Sequence, residues 1–278
     1  MPFLKRKRVL VTGGGGSIGS ELVRQLSVKN KVFILDNNET ATYSLMHELS
    51  SRWVKGRVGD IRDERTVLDI FSDFKPQVVF HAAAYKHVSP MEIYPIEAIQ
   101  TNVVGTYNIL HEAYKYECLE KFIYISTDKV VNAKSIMGAT KKVGEIMVKN
   151  AGGIAVRFGN VIGSRGSVVP IWQRQLDTRE PLTITSPDME RYMMTIPEAC
   201  SLVIKAAEDG SGGEIYIMDM GERVNVLEIL KKLLGKIGKS DYPIKNIGIR
   251  PGETLIEKLM TVEEEAMATK KGNFWVLK

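Results

Sequence analysis

The sequence predicts an α/β protein built on a doubly wound parallel sheet. Two observations support this prediction. Short apolar runs rich in Val and Ile alternate with amphipathic stretches through the first half of the chain, and four consecutive glycines, 13–16, follow the first run. Strands that alternate with helices form parallel sheets. A strand, a glycine turn and a helix in that order form a dinucleotide-binding loop. The predicted architecture is therefore of the Rossmann type.

Composition and charge limit the classes of protein to which the chain can belong. Of its 278 residues 44% are hydrophobic and 26% are charged, and the net charge is +5. No apolar run approaches the ~20 residues of a membrane span, and no signal peptide is recognised, so we expect a cytoplasmic protein. The positive charge fits a small anionic ligand, whereas no basic helix indicates nucleic acid. Cys118 and Cys200 are expected to be reduced, and no metal site is predicted.

Each element of the first half follows from a local pattern. Runs of β-branched residues bounded by Gly, Asp or Pro predict strands, and apolar residues at helical spacing predict helices. The predicted strands are 8–12, 31–36, a short strand closing at 58–61, 78–84, 121–125 and 153–158. The predicted helices are 20–28, 38–51, 63–74, one long helix within 90–117, and 137–149.

The pattern changes after residue 167, where helices alternate with short strands. Helices are predicted at 169–176, 196–207 and 226–237, and a strand at 214–218. No linker run separates the two halves. We therefore predict a Rossmann domain at 1–167 that carries the catalytic cluster, and a smaller substrate-binding lobe at 168–278 that packs on it and can share elements with it.

The glycine loop and the end of the second strand predict an NAD site. Glycines let the backbone turn sharply and approach a pyrophosphate at the N-terminus of the next helix. Asp36 can accept hydrogen bonds from both ribose hydroxyls and would repel a 2′-phosphate; the alternative is a surface aspartate that caps the next helix. The predicted cofactor-binding residues are Gly13, Gly16, Ser17, Ile18, Gly19, Asp36, Asn37, Asp60, Ile61, Ala82, Ala83, Ala84 and Asn102.

Polar side chains follow the central strand in the run Ser126-Thr127-Asp128-Lys129. Open α/β sheets bind their ligands at this end of a strand. Thr127 can hold a substrate hydroxyl, Asp128 can give a proton and Lys129, when neutral, can take one. The alternative is a helix cap or a turn, which Ser-Thr-Asp also forms well.

A second glycine-rich loop, 159–167, suits a further phosphate site. Arg157 and Arg165 lie beside it in the sequence, and a guanidinium can bind phosphate through two parallel hydrogen bonds. The alternative for both arginines is a solvated cation or a cation at the edge of the sheet.

Four motifs make the chain resemble an extended short-chain dehydrogenase/reductase. They are Thr12-Gly-x-x-Gly-x-x-Gly19, the run His-Ala-Ala-Ala-Tyr-Lys-His-Val at 81–88, Ser126-Thr-Asp-Lys129 with Met137-x-x-x-Lys141, and the run Arg-Phe-Gly-Asn-Val-x-Gly-Ser-Arg-Gly-Ser-Val at 157–168. The last two are far more specific than the glycine motif. They are most similar to the nucleotide-sugar 4,6-dehydratases of bacterial polysaccharide biosynthesis that act on UDP-N-acetylglucosamine.

The resemblance implies a redox-neutral reaction with NAD and gives each residue a role. Lys129 would remove the proton at sugar C5, and Asp128 would protonate the leaving C6 hydroxyl. Thr127 would hold the C4 oxygen, and Lys141 would bind and orient the nicotinamide ribose. The implied substrate contacts are Lys86, Asn160, Ser167, Val168, Arg191 and Arg250. A homo-oligomer is also expected.

The proposed base must be neutral for part of the time. Burial and a positive Lys141 are expected to lower the pKa of Lys129, against the opposing charge of Asp128. The expected result is a coupled Asp128–Lys129 pair that shares one proton.

Met137 stands where the wider family has a tyrosine. A thioether cannot abstract a proton, so the sequence does not identify the group that accepts the proton of the C4 hydroxyl. Many relatives with this methionine carry an N-terminal membrane region, so we expect either a soluble form or a catalytic portion. Two other functions stay open: a UDP-sugar 4-epimerase, which needs no acid at C6 or base at C5, and a non-catalytic NAD-binding regulatory module.

Overall fold

A computed structural model describes residues 4–278. The strands are β1 (Arg8–Thr12), β2 (Lys31–Asp36), β3 (Val54–Val58), β4 (Val78–His81), β5 (Lys121–Ile125), β6 (Ile154–Arg157), β7 (Asn160–Ile162), β8 (Leu182–Ile184), β9 (Glu190–Arg191), β10 (Met193–Thr195), β11 (Glu214–Met218), β12 (Val224–Asn225), β13 (Ile244–Asn246), β14 (Thr269–Lys271) and β15 (Phe274–Leu277). The helices are α1 (Ser17–Ser27), α2 (Glu39–Leu49), α3 (Glu64–Phe74), α4 (Val88–Ile93), α5 (Pro95–Ile99), α6 (Thr106–Tyr114), α7 (Ile136–Asn150), α8 (Val168–Asp177), α9 (Ile196–Asp209), α10 (Val226–Lys236) and α11 (Val262–Met267).

A nine-stranded sheet forms the centre of the molecule, in the order β14-β15-β11-β6-β5-β4-β1-β2-β3. The strands from β11 to β3 in this order pair in parallel, and β15 and β14 add antiparallel at one edge. The strand order reverses between β1 and β4. The predicted doubly wound α/β fold is confirmed, and the crevice at the reversal is where such sheets bind ligands.

Both faces of the sheet are covered, so its central strands are buried throughout. Val9, Val11 and Ile123 belong to the apolar layer on one face, which also receives side chains of α1 and α9. Leu10 and Phe122 belong to the layer on the other face, which receives side chains of α3 and α6. This arrangement explains the continuous apolar runs, because a parallel strand covered on both faces has no polar side.

The long helix predicted within 90–117 is instead several shorter pieces. Helices α4 and α5 are separated at Tyr94, a wide helical turn spans Gln100–Gly105, and α6 follows. Pro95 opens α5, because proline has no N–H to donate inside a helix and fits best in its first turn. The third strand also ends at Val58, so Asp60 and Ile61 lie in the loop beyond it.

The second half of the chain both extends the central sheet and forms a small core of its own. β11, β14 and β15 extend the central sheet beyond the predicted boundary at residue 167. Helices α8 and α10 form a separate small core around the fully buried Trp172, together with Leu182 and Leu230. Across residues 4–278 none of the helices combines the length and the apolar character needed to cross a bilayer.

Candidate active site

The glycine loop between β1 and α1 is shaped by close backbone contacts. Gly13 has φ +66°, and a Cβ there would lie 2.6 Å from the nitrogen of Ala83. A Cβ on Gly19 would lie 2.0 Å from the carbonyl oxygen of Gly13. Gly16 precedes α1 in extended conformation and has no side chain to cap the helix. The first amides of α1, at Ser17 and Ile18, therefore remain suited to an anionic ligand.

Asp36 lies beside this loop at the end of β2. Its Oδ2 accepts the N–H of Gly15 at 2.8 Å, and its Oδ1 accepts the N–H of Asn38 at 2.8 Å. Each carboxylate oxygen retains a further lone pair for a ribose hydroxyl. The glycine loop thus holds Asp36 in place beside the predicted NAD site. Asn37, the next residue, is exposed.

The other residues predicted to bind the cofactor divide into two groups. Ala82, Ala83 and Ala84 form the loop that leaves β4 and are partly exposed. Asp60 is also partly exposed, and Arg62 donates to it at 2.7 Å. Three members, however, are involved in contacts within the protein. They are Ile61, which is buried against Gly105, Asn102, which is fully buried, and Lys141, which is described below.

Asn102 uses its amide to hold two segments together. Its Oδ1 accepts the N–H of Tyr85 at 2.8 Å, and its Nδ2 donates to Tyr85 O and to Thr140 Oγ1, each at 3.0 Å. The structure therefore places Asn102 between the loop after β4 and helix α7, where it fixes the loop position.

The predicted catalytic run forms a tight turn directly after β5. Thr127 Oγ1 donates to Asp128 Oδ1 at 2.9 Å. Lys129 Nζ donates to Asp128 Oδ1 at 3.0 Å, to Asn160 Oδ1 at 3.1 Å and to Glu257 Oε2 at 2.7 Å. Asp128 is 1% exposed, and its Oδ2 is buried without a hydrogen-bond partner in the part of the chain that the structure describes. The geometry thus joins three charged groups, of which Glu257 was not predicted.

The charges of this cluster correct the expected pKa of Lys129. Burial acts to lower that pKa, but the charges of Asp128 and Glu257 outweigh it and the pKa is raised. Burial likewise acts to raise the pKa of Asp128, but the charge of Lys129 and the side-chain hydrogen bonds of the Asp128 carboxylate together outweigh burial, and the pKa is lowered. Burial raises the pKa of Glu257 to about 7, against the charge of Lys129. The expected lowering was wrong because it omitted the second carboxylate.

Lys141 lies behind the turn on α7. Its Nζ donates to the carbonyl oxygen of Ile125 at 2.5 Å and sits 3.9 Å from the centre of the Tyr124 ring. Burial lowers the pKa of Lys141 to about 7, against the opposing charge of Glu145. The pKa of Lys141 therefore lies well below that of an ordinary lysine, which differs from the sequence-based expectation of a positive Lys141. Met137, one turn earlier, is buried with Met91 and Ala98.

The residues predicted to contact the substrate differ in how exposed they are. Lys86 is exposed as a residue, but nearby protein partly desolvates its amine. This desolvation lowers the pKa of Lys86, and the charges of Arg165 and Lys129 lower it further. Ser167 and Val168 open helix α8, and the Oγ of Ser167 has no partner among residues 4–278. Arg250 is exposed on the segment that leads to Glu257.

Arg191 and Arg157 are held inside the protein. Arg191 is 5% exposed and donates to the carbonyl oxygens of Glu190, Thr254 and Leu255. Arg157 is fully buried, with Nη2 2.7 Å from Glu145 Oε1 and Nη1 2.7 Å from Glu264 Oε2. The suggested phosphate role of Arg157 is therefore wrong, since two carboxylates already occupy its guanidinium.

Arg165 lies beside the first glycine loop, and the second phosphate site expected at its own loop stays a prediction. Its backbone N–H donates to Ser17 Oγ at 3.0 Å, and its guanidinium donates to the carbonyl oxygen of Gly15. The loop 163–167 therefore contacts the glycine loop across the crevice, with one cation close to the N-terminus of α1.

The glycine loop at the strand-order reversal, together with a lysine-bearing helix behind the central strand, defines an extended short-chain dehydrogenase/reductase. The chain belongs to the polysaccharide biosynthesis protein family, whose sequence profile matches residues 9–278. It is similar to the capsular polysaccharide biosynthesis protein CapD of Staphylococcus aureus, with 43% identity over 94% of this chain and 46% of CapD. The chain thus spans about half the length of that relative.

Two solved structures show the same fold over nearly the whole chain. Pen from Bacillus thuringiensis is 32% identical with a TM-score of 0.93, over 99% of this chain and 89% of Pen. The UDP-glucose 4-epimerase of Thermus thermophilus, solved in complex with NAD, is 25% identical with a TM-score of 0.79, over 89% of this chain and 88% of the epimerase.

Proposed function

We propose that the protein is a nucleotide-sugar 4,6-dehydratase that acts on UDP-N-acetylglucosamine with NAD and serves polysaccharide biosynthesis. The observation that carries this proposal is the Asp128–Lys129 pair, joined at 3.0 Å in the crevice at the end of β5. Removal of water across C5 and C6 needs both an acid and a base, and this pair offers one of each. The name and identity of CapD support the link to polysaccharide synthesis.

The residues around the glycine loop fit NAD. The backbone of Gly13 and Gly16 leaves room for a pyrophosphate at the start of α1, and Asp36 stands beside Gly15 to receive ribose hydroxyls. The NAD complex of the Thermus thermophilus epimerase supports the same choice of cofactor. The chemistry that NAD supplies when bound is reversible hydride exchange with sugar carbons 4 and 6.

The hydrogen bond from Thr127 to Asp128 gives the C4 hydroxyl proton a route. Because Thr127 donates to Asp128 Oδ1 at 2.9 Å, its own lone pairs are free to accept a hydrogen bond from the substrate. The proton of the C4 hydroxyl passes to Thr127 while the proton of Thr127 passes to Asp128. Asp128 then delivers that proton to the C6 hydroxyl, which leaves as water. Every proton in this route has a donor and an acceptor without a tyrosine, so the route is compatible with a methionine at position 137.

Lys129 acts at C5 from the same turn. Once neutral, its amine removes the proton that the C4 ketone has made acidic, and it later returns a proton to C5. Asn160 accepts from the same Nζ at 3.1 Å and keeps the side chain directed into the crevice. Acid–base catalysis of this kind contributes roughly 10²–10⁴-fold per group, and the rest comes from holding the sugar in place.

A UDP-sugar 4-epimerase is the second candidate. The similarity to the UDP-glucose 4-epimerase of Thermus thermophilus supports it, and so does the shared requirement to oxidise C4. An epimerase needs neither an acid at C6 nor a base at C5, so the buried Asp128–Lys129 pair would have no task in it. We therefore favour the dehydratase.

Proton NMR of the reaction distinguishes the two functions. Incubation of the protein with NAD⁺ and UDP-N-acetylglucosamine is expected to produce a new C6 methyl signal and the loss of one water from the sugar mass. A product of unchanged mass with an inverted C4 would instead establish the epimerase. Unchanged substrate under conditions where NAD binds would contradict both.

A further inference from the structure

Glu257 is a buried carboxylate that contacts the proposed base directly. Its Oε2 lies 2.7 Å from Lys129 Nζ and 3.6 Å from Arg191 Nε, and the residue is 8% exposed. A carboxylate in such surroundings loses most of its hydration and depends on its ionic partners to stay charged. Its position beside Lys129 therefore needs an explanation beyond packing.

The main chain that carries Glu257 is fixed on the smaller lobe. Arg191 donates to Thr254 O at 2.8 Å and to Leu255 O at 2.9 Å. The N–H of Glu190 donates to Leu255 O at 3.0 Å, and Ile256 forms a bridge with Glu190. Glu257 is consequently held at a defined distance from the turn after β5, as a proton transfer between the two side chains requires.

The hydrogen bonds of Lys129 leave few destinations for its proton. The ammonium donates to Asp128, Asn160 and Glu257, and an amide such as Asn160 cannot take a proton. Against burial, the charge of Lys129 and the side-chain hydrogen bonds of Asp128 together hold the pKa of Asp128 low, and Asp128 already carries the C4 hydroxyl proton in the proposed reaction. Burial raises the pKa of Glu257 to about 7.

We infer that Glu257 is a positioning residue that stores the proton of Lys129 while Lys129 acts as the base at C5. The inference rests on the proposed dehydratase function. The ammonium proton passes along the 2.7 Å hydrogen bond from Nζ to Oε2, which leaves a neutral amine and a carboxylic acid. The amine then takes the C5 proton as the C5–H bond breaks. After water has left, Lys129 returns a proton to C5 and Glu257 returns its own to Nζ.

The charged groups that face Glu257 come from two other elements. Asp128 and Lys129 approach from the turn after β5, and Arg191 approaches from β9. Asp128, Lys129 and Glu257 also line a cavity of about 160 Å³, together with Lys134 and Lys258. At a pH above the pKa of Glu257, the Lys129–Glu257 pair holds one proton to share. A constant fraction of molecules should then carry that proton on Glu257, which leaves Lys129 neutral and able to act as the base.

Glu257→Gln tests the inference through the pH dependence of deuterium uptake at C5 in heavy water, measured in a single turnover. In the unmodified protein the rate is expected to rise up to pH about 7 and then level off. In Glu257→Gln the amide still accepts from Lys129, but the ammonium must lose its proton to solvent. Its rate is expected to keep rising by about tenfold per pH unit beyond neutrality, towards the pKa of the lysine.

Glu265→Gln is the matched control, because Glu265 is exposed on α11 and the same charge is removed. It is expected to keep the bend near pH 7.

A Glu257→Gln profile that parallels the unmodified protein at every pH, scaled by one factor, would overturn the inference and leave a structural role. Glu257→Asp covers a failure of the glutamine variant to fold: it keeps a carboxylate and should keep the bend at a reduced rate, and loss of the bend would contradict the inference. An unmodified protein that makes no C6 methyl product would instead overturn the proposed function.

Discussion

A Cβ atom on Gly138 would lie 2.3 Å from the carbonyl oxygen of Lys129. Helix α7 therefore approaches the catalytic turn so closely that only a glycine fits at this position. Since α7 also carries Lys141, this close approach brings the helix of one lysine against the backbone of the other. We therefore expect the proposed activity of the site to depend on a residue that has no side chain.

Gly138→Ala is predicted to push α7 away from the turn. The clash is with backbone, which cannot rotate aside, so the free energy of unfolding should fall by about 1–3 kcal/mol and the rate of C6 methyl formation should fall with it. Urea denaturation measures the first effect. Gly235→Ala in α10 is the control, because a Cβ there meets no atom of the described residues within 4 Å; it should be neutral or stabilise by up to about 1 kcal/mol. Equal effects of the two changes would argue against the close contact.

Asp36→Ala is predicted to weaken the preference for NAD over NADP. The change removes the acceptor for the ribose hydroxyls and the negative charge that opposes a 2′-phosphate. It also removes the hydrogen bond to Gly15 N–H, so Asp36→Asn, which can keep that bond, is the companion variant. The measurement is the ratio of kcat/KM for the two cofactors, made on protein from which any bound nucleotide has first been removed. An unmodified protein that uses both cofactors equally would refute the prediction.

Met137→Leu is predicted to keep most of the activity. Met137 is 2% exposed and packs with Met91 and Ala98, so a leucine of similar volume should fit at a cost of less than about 1.5 kcal/mol. Neither side chain transfers protons. Steady-state formation of the methyl product is the assay, and a loss beyond roughly 10³-fold in a folded variant would reveal a direct role of the sulfur.

Lys129→Ala and Asp128→Asn are predicted to stop the reaction at different points. Lys129→Ala should allow oxidation at C4 but reduce deuterium uptake at C5 by roughly 10²–10⁴-fold, so that the near-ultraviolet absorbance of reduced nicotinamide accumulates. Asp128→Asn cannot accept the proton relayed by Thr127, so oxidation itself should slow. Stopped-flow absorbance separates the two. Methyl product from Lys129→Ala at a near-normal rate would show that another group is the base.

His81 is predicted to make stability depend on pH. Burial, followed by the charge of Lys141, lowers the pKa of His81 to about 3, and its ring nitrogens are bonded to Thr12 at 2.6 Å and Thr106 at 2.9 Å. The unfolded chain protonates this histidine below pH about 6.5 while the folded protein does not. Its contribution to stability is therefore complete above that pH and is lost as the pH falls towards about 3.

The comparison of His81→Gln with the unmodified protein isolates this effect. Between pH 6 and pH 4, roughly, the unfolding free energy of the unmodified protein should fall more steeply, by up to about 1.4 kcal/mol per pH unit. Titration of Glu257 affects both proteins alike and cancels. His111→Gln, at an exposed histidine, should keep the unmodified slope. Identical slopes in all three proteins would contradict the buried neutral ring.

Several elements could be predicted from the sequence because their signals are local. The strands β2, β5 and β11 have the predicted bounds, since each is a continuous apolar run that ends at a polar or glycine-rich stretch. The break of the long helix at Tyr94 and Pro95 was missed, although the proline was visible. An apolar helical pattern on both sides concealed it.

The charge pairing of the site could not be predicted, because it depends on contacts distant in sequence. Glu257 lies 128 residues along the chain from Lys129, and only the fold brings their side chains together. The sequence suggests Arg157 as a phosphate ligand because it lies beside a glycine-rich loop, whereas its actual partners Glu145 and Glu264 come from two separate helices. Glu145 and Glu264 pair with the buried guanidinium of Arg157, and the charges of Asp128 and Glu257 together raise the pKa of Lys129 against burial, whereas the sequence shows only the residue types.

The contacts of Arg165 with Gly15 and Ser17 have a consequence for how the enzyme depends on its surroundings. They tie the loop 163–167 across the strand-to-helix turn on which the nucleotide is proposed to rest, so we expect dissociation of the nucleotide to require that both contacts open. A reaction that gives back every hydride it takes has no need for such exchange. The protein should therefore retain one nucleotide through purification and many turnovers, and its output should be insensitive to the oxidised-to-reduced ratio of the cellular nicotinamide pool.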